Sequence, residues 1–81
     1  MIGATMKINK SQAEHSLKHD LGKTYGFILT GDDGYYDSEL TKDDLDEDYS
    51  LTDWEEFTVE FKGDNWQSKI VQYKKLINHI K

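Results

Sequence analysis

The fold depends on residues 64–80, which read DNWQSKIVQYKKLINHI. Apolar side chains recur here at three- or four-residue spacing, as along one face of an amphipathic helix of about four turns; they are Trp66, Ile70, Tyr73, Ile77 and Ile80. Residues 66–73 can equally form the return strand of a hairpin, because Gly63-Asp64-Asn65 before them is a turn sequence. A terminal helix and a terminal strand therefore both stay open, and they predict different folds.

The N-terminal region contains a helix signal. Ser11-Gln-Ala-Glu14 has the form of a capping box, Leu17 and Leu21 follow at four-residue spacing, and Gly22 stands where a C-terminal glycine belongs. We expect a short helix over residues 11–21. The chain is one domain, residues 1–81, in which residues 1–10 are a candidate flexible extension.

Two strands are indicated in the middle of the chain. Residues 24–30, TYGFILT, are β-branched and aromatic, and they end at the turn sequence Gly31-Asp32-Asp33-Gly34. Residues 57–62, FTVEFK, alternate between apolar and polar side chains, which is typical of a strand with one buried face. Tyr35-Tyr36 begins another extended piece.

Composition argues against catalysis and export. The chain has 81 residues and no cysteine, which excludes disulfides, thiolate zinc sites and thiol nucleophiles. It contains no phosphate-binding loop, nucleophile motif, secretory signal or apolar run long enough to cross a membrane. We therefore expect a cytoplasmic binding protein that is not an enzyme and needs no cofactor.

Charge is distributed unevenly along the chain. The formal net charge is −6. Of the 16 acidic residues, twelve lie between positions 32 and 56, where Lys42 is the one basic residue. The two ends are mildly basic, and all ten basic residues are lysines. An acidic patch in the middle of the chain and basic ends favour different partners.

A resemblance to a known family rests on two motifs. Lys23-Thr-Tyr25-Gly-Phe27-Ile28 resembles the first ribonucleoprotein motif of the cold-shock domain, with Thr24 in place of a glycine. Tyr35-Tyr36-Asp37-Ser38-Glu39-Leu40 resembles a shortened second motif, with Asp37 in place of the histidine. Residues 50–61 and 67–73 are similar to the last two strands of that family in length and alternation, so the resemblance covers roughly residues 17–76.

The resemblance implies a small five-stranded OB-like barrel that binds single-stranded RNA or DNA without catalysis. In that family, bases stack on aromatic side chains exposed on one face of the sheet, and each stacked base contributes about 1–3 kcal/mol. Carried over to this chain, the binding residues would be Lys23, Tyr25, Phe27, Tyr35, Tyr36 and Trp66. The apparent helix at residues 11–21 departs from the family, which begins with a strand.

The alternative is an α+β domain with an N-terminal helix, an antiparallel sheet and a C-terminal helix. Its function would lie in its acidic surface, as in a small inhibitor or immunity-type protein that offers carboxylates to a basic protein surface in place of phosphates. The partner-binding residues would then be Asp43, Asp44, Asp46, Glu47, Asp48, Asp53 and Glu55.

Two patterns resemble metal sites, but we predict no bound metal. Asp44, Asp46, Asp48, Ser50, Thr52 and Glu55 fall at the ligand positions of a calcium-binding loop. However, Tyr49 occupies the position that needs glycine, and a strand pattern follows where a helix is required. His15 and His19 have the spacing of a metal-ligand pair on a helix. The remaining histidine, His79, does not stand at the spacing of a recognisable metal-binding motif.

Overall fold

A computed structural model describes residues 3–45 and 51–81. Four strands and three α-helices follow one another along these residues, with one short 3₁₀ turn, Lys42–Asp44, before the last strand. In chain order they are β1 (Gly3–Ile8), α1 (Lys10–Lys18), α2 (Leu21–Tyr25), β2 (Phe27–Asp32), β3 (Asp37–Glu39), β4 (Glu56–Lys62) and α3 (Trp66–Ile77).

The four strands form one open antiparallel sheet in the order β1-β4-β2-β3. Strand β4 lies inside the sheet and pairs with both β1 and β2. Ala4 stands opposite Phe61 on one side of it, and Leu29 stands opposite Val59 on the other. Helices α1 and α3 pack against one face of β4, so the other face of the sheet is left open.

The prediction of a five-stranded barrel is wrong. The structure is an α+β fold whose edge strands are β1 and β3, and these do not pair to close the sheet. The terminal segment is a helix because its apolar residues are spaced for one face of a helix. In α3 that face carries Tyr73 and Ile77, both buried against the sheet. A strand would have turned alternate residues of this segment away from the core.

The N-terminal region differs from the prediction in two ways. Residues Gly3–Ile8, considered a candidate extension, form the edge strand β1. The first helix begins one residue before Ser11, and its capping box lies two residues earlier than predicted, at Asn9 and Gln12. The Asn9 side chain accepts a hydrogen bond from the Gln12 amide at 2.8 Å, and the Gln12 side chain accepts one from the Asn9 amide at 2.9 Å.

The predicted helix over residues 11–21 is divided into two shorter helices. Helix α1 ends at Lys18, and Asp20 then adopts a left-handed conformation with φ of 53° before α2 begins at Leu21. Helix α2 ends at Tyr25, and the following Gly26 has a φ of 75°, a conformation that glycine adopts with little strain. Gly26 thus turns the chain from α2 directly into β2.

The core lies between the sheet and the helices. The alternation predicted for residues 57–62 is confirmed, since Phe57, Val59 and Phe61 of β4 are all buried on the face under the helices. Phe27 of β2 contacts Tyr73 of α3 edge to face, with 4.6 Å between ring centroids. Aromatic pairs in this geometry add to the stabilisation that burial provides.

One buried polar contact joins α1 to α3. The Tyr73 hydroxyl lies 2.7 Å from Ser16 Oγ, and both residues are almost fully buried. Ser16 Oγ donates to the backbone carbonyl of Gln12 at 2.9 Å, so its single proton is already used and Tyr73 is the donor to Ser16. Every hydroxyl in this contact therefore has a partner.

Candidate functional site

The aromatic residues predicted to stack on bases do not form one exposed surface. Phe27 lies on the helix side of β2, 7% exposed, in contact with Phe61 and Tyr73. Tyr25 is the last residue of α2, and both it and Trp66 at the start of α3 are partly buried against the core. A base could stack on Phe27 only after the core had opened.

The other predicted binding residues are exposed but lie on different elements. Lys23 is on α2, whereas Tyr35 and Tyr36 lie in the turn between β2 and β3. Tyr35 is 92% exposed and Tyr36 is 65% exposed. The prediction of one strand over residues 24–30 is wrong in its first part, because residues 24 and 25 belong to α2 and β2 begins at Phe27. The structure divides that segment at Gly26, so Tyr25 and Phe27 do not share a strand face.

The turn that carries the two exposed tyrosines is held by aspartate side chains. Asp32 Oδ1 accepts a hydrogen bond from the Gly34 amide at 2.8 Å. Asp33 Oδ1 accepts from the amides of Tyr35 at 3.1 Å and Tyr36 at 3.4 Å. Aspartate favours turns because its side chain can replace a backbone acceptor in this way. The backbone under both tyrosine rings is therefore ordered by local contacts.

Three carboxylates form a row across the open face of the sheet. The register places Asp37 of β3 opposite Asp32 of β2, and Asp32 opposite Glu56 of β4. Residues directly opposite each other in antiparallel strands have Cβ atoms about 4.5–5.5 Å apart, and like charges at such positions destabilise the sheet. We call Asp37, Asp32 and Glu56 the carboxylate row.

The carboxylate row lies at one end of a shallow depression in the open face. The depression has a volume of about 220 Å³ and is lined mainly by polar side chains. Besides the row, its lining includes Glu60 and the threonines Thr5, Thr30 and Thr58. Glu60 is paired with Lys62 at 3.1 Å. Within residues 3–45 and 51–81, no ion pair is found for the three carboxylates of the row.

The structure describes four of the seven acidic residues that the alternative prediction assigns to partner binding. Asp43 and Asp44 are exposed in the 3₁₀ turn, where Asp44 Oδ2 accepts a hydrogen bond from the Thr41 hydroxyl at 3.3 Å. Asp53 and Glu55 are exposed just before β4, and the Glu55 amide donates to the Asp32 carbonyl at 2.7 Å. Glu55 therefore adjoins the carboxylate row. Asp46, Glu47 and Asp48 lie outside the described residues.

Sequence reasoning missed the carboxylate row as a unit. In the sequence, Asp32 belongs to a turn signal, Asp37 replaces the histidine of a family motif, and Glu56 is one of many acidic residues. Their proximity depends on the pairing of β2 with both β3 and β4. The available signal was the turn sequence Gly31-Asp32-Asp33-Gly34 between two extended segments, which is typical of a hairpin.

No metal site is evident in the described part of the chain. Among residues 3–45 and 51–81, no group of three histidine or carboxylate side chains is arranged to hold a metal ion. Three positions of the calcium-loop pattern, Asp46, Asp48 and Ser50, lie outside those residues. Within the same range, no helix combines the length and the apolar character needed to cross a membrane.

A second depression, of about 360 Å³, lies between the first two helices and the β3 side of the sheet. Its rim carries charges of both signs, including Asp20, Lys23, Lys42 and Asp43. A rim of mixed charge does not select one class of ligand, whereas the lining of the open-face depression has an excess of carboxylates. We therefore take the open face as the candidate site.

Comparisons with known proteins give no independent assignment. No model of a known protein family matches the chain, and searches of curated proteins and of solved structures find no similar chain. They neither support nor refute the resemblance to the cold-shock domain.

Proposed function

We propose that this protein is a non-catalytic binding domain whose open sheet face binds a basic protein surface. The observation that carries the proposal is the carboxylate row, Asp37-Asp32-Glu56, set across three adjacent strands. The exposed rings of Tyr35 and Tyr36 stand at the same end of the sheet. In this role the domain acts as an inhibitor or immunity-type partner, and its carboxylates take the place of phosphates.

The three carboxylates of the row repel one another in the free protein, and a bound cation relieves this repulsion. At a separation of about 5 Å, which is typical of the Cβ atoms of opposite residues, two like charges repel each other by roughly 0.8 kcal/mol even in water. Asp32 has a carboxylate residue opposite it on both sides. A lysine or arginine side chain seated among the three carboxylates replaces this repulsion with attraction. Each close pair then contributes about 1 kcal/mol in water, and more where the interface excludes water.

The two tyrosines provide the apolar part of the surface. Tyrosine is enriched among the residues that dominate binding energy in protein interfaces, because it buries a large rigid ring and keeps a polar hydroxyl. Arginine also stacks on aromatic rings while it pairs with carboxylates. Since hydrogen bonds to Asp33 hold the backbone of this turn, less conformational entropy is lost when the rings are covered.

Binding of single-stranded nucleic acid stays a prediction and has less support. The exposed tyrosines could each accept a base, but they lie beside Asp33 and Asp37, whose negative charges repel a phosphate chain. The remaining aromatic residues of the predicted platform are at least partly buried. The same titration can test both classes of partner.

The proposal is tested with two soluble probes, an arginine- and lysine-rich peptide of about ten residues and an oligothymidine of similar length. Each is titrated into ¹⁵N-labelled protein at low salt, and amide shifts are mapped onto the chain. We expect the basic peptide to shift residues 32–39 and 56–60, and the shifts to shrink as salt is added. Oligothymidine is expected to leave these signals unchanged.

A matched pair of variants separates the carboxylate row from general acidity. Asp32→Asn with Asp37→Asn removes two charges of the row, and asparagine at position 32 keeps the Oδ1 acceptor for Gly34. The control is Asp20→Asn with Asp64→Asn, which removes two exposed charges outside the row and away from the tyrosine turn; Asp20 has a left-handed φ that asparagine also adopts. The first pair should weaken peptide binding about tenfold and the control by much less. Equal weakening by both pairs would show only diffuse attraction and would refute the proposal.

The exposed ring is tested in the same way. Tyr35→Ala should weaken binding of the basic peptide, whereas Val71→Ala, at an exposed position on α3, should not. A protein partner can then be sought by affinity capture with wild-type protein and with the Asp32→Asn, Asp37→Asn variant in parallel. The partner that the proposal predicts is a basic protein retained by the first and lost from the second.

A further inference from the structure

Three histidines, two from the first helix and one from the C-terminal segment, lie together at one end of the helical layer. His15 is in the last turn of α1, His19 caps that helix, and His79 follows the end of α3. The ring centroids of His15 and His19 are 4.5 Å apart, and those of His15 and His79 are 5.6 Å apart. We call His15, His19 and His79 the histidine cluster.

The cluster lies where the C-terminal segment, residues 78–81, meets α1. The Gln12 side chain donates to the carbonyl of Ile80 at 3.2 Å, and the Ile80 amide donates to the carbonyl of Ile77 at 2.8 Å. Ile80 itself is half-buried. His79 therefore belongs to a short segment that is held by one cross-element hydrogen bond, by packing and by its contact with His15.

Within residues 3–45 and 51–81, each charged group that lowers the pKa of His15 is positive in its protonated form. These groups belong to His19 and Lys18 on its own helix and to His79 on the C-terminal segment. Partial burial lowers the pKa of His15 below its ordinary value of 6.5, and repulsion from His19, His79 and Lys18 lowers it further. The described residues contain no arrangement of three such side chains that holds a metal ion, so proton binding is the chemistry the cluster offers.

We propose that the histidine cluster is a pH-sensitive contact, in which protonation releases residues 78–81 from α1 while the sheet stays folded. The pair that changes on release is His15 with His79, because His15 and His19 share one helix and stay together. Two imidazolium charges 5.6 Å apart in water weaken docking of the segment roughly three- to fourfold.

The test is amide hydrogen exchange followed by NMR at about pH 7.5 and pH 5, with rates corrected for the intrinsic pH dependence of exchange. We expect protection of the Ile80 amide to fall at least threefold on acidification. Protection of Val59, a fully buried residue in the central strand β4, should change much less. Unchanged protection of Ile80, or an equal loss at Val59, would overturn the proposal.

Two glutamine variants identify the responsible pair. His79→Gln removes the charge that crosses from the C-terminal segment to α1, and it should abolish the pH effect on Ile80. His19→Gln removes an equally exposed histidine that also contacts His15 but stays on α1 after release, so it should keep most of the effect. If His79→Gln retained the wild-type response, the proposal would be refuted.

Discussion

The buried contact between Ser16 and Tyr73 predicts an unequal response to two small deletions. Ser16→Ala removes the acceptor of the Tyr73 hydroxyl and leaves that donor buried without a partner. A buried polar group left unpaired costs about 1–3 kcal/mol. Tyr73→Phe removes the donor instead, and Ser16 still donates to the Gln12 carbonyl at 2.9 Å, so only one hydrogen bond of about 1 kcal/mol is lost.

The double variant should be less unstable than the sum of the two single variants. Once phenylalanine replaces Tyr73, Ser16→Ala no longer leaves a buried hydroxyl unpaired, so its additional cost falls. We expect a coupling free energy of about 1 kcal/mol between positions 16 and 73. This coupling is what distinguishes a shared hydrogen bond from two independent losses of packing.

The measurement is urea unfolding of the wild type, both single variants and the double variant, followed by tryptophan fluorescence. Ser68→Ala is the matched control, because Ser68 is an exposed serine in α3 and reports the change in helix propensity alone. A Ser16→Ala variant no less stable than Ser68→Ala would refute the assigned direction of the hydrogen bond. Strict additivity in the double variant would refute a hydrogen bond shared by the two residues.

Three further predictions follow from the same core and helix ends. Burial raises the pKa of Tyr73 to about 12 from the ordinary 10.0, so its neutral form stabilises the fold below pH 10. That stability should be lost as the pH rises from 10 towards 12, and Tyr73→Phe should remove this part of the alkaline transition in a fluorescence-detected titration. Gly31→Ala should destabilise the protein by about 1–3 kcal/mol in urea unfolding, because the added Cβ would lie 2.8 Å from Leu40 Cδ1 and 2.9 Å from Trp54 Cε3. Asn9→Ala should cost about 1 kcal/mol by the same measurement, whereas Asn9→Asp should keep the cap of α1 and most of the stability.

Sequence reasoning succeeded where a local pattern determines the structure. The alternation of Phe57, Val59 and Phe61 predicts a half-buried strand, and β4 has that form. The spacing of Tyr73 and Ile77 is compatible with a helix, yet the preceding turn allowed a hairpin as well. Whether this segment becomes a helix or a strand depends on whether the fold offers a surface that a helix can cover. Strands β1, β2 and β4 together build that surface.

The candidate site could not be derived from the sequence because it depends on strand register. Asp32, Asp37 and Glu56 are apart in the chain and form a row only because β2 pairs with both neighbours in one particular alignment. A shift of one residue in β3 would turn Asp37 to the other face of the sheet. The contact of His79 with the other two histidines could not be predicted from the sequence either, because no pattern near position 79 indicates that it lies beside residues 15 and 19.

The interior position of β4 constrains how the chain reaches its folded state. Strand β1 stands at the N-terminus, but its hydrogen-bonded neighbour begins at Glu56, and the pairing joins Gly3 to Lys62. During synthesis, β1 therefore has no strand to pair with until more than half of the chain has been made. Contacts so distant in sequence slow folding, because a long loop must close before they form. A chain that stops before residue 56 lacks the strand that joins β1 to β2, and should fail to assemble the four-stranded sheet.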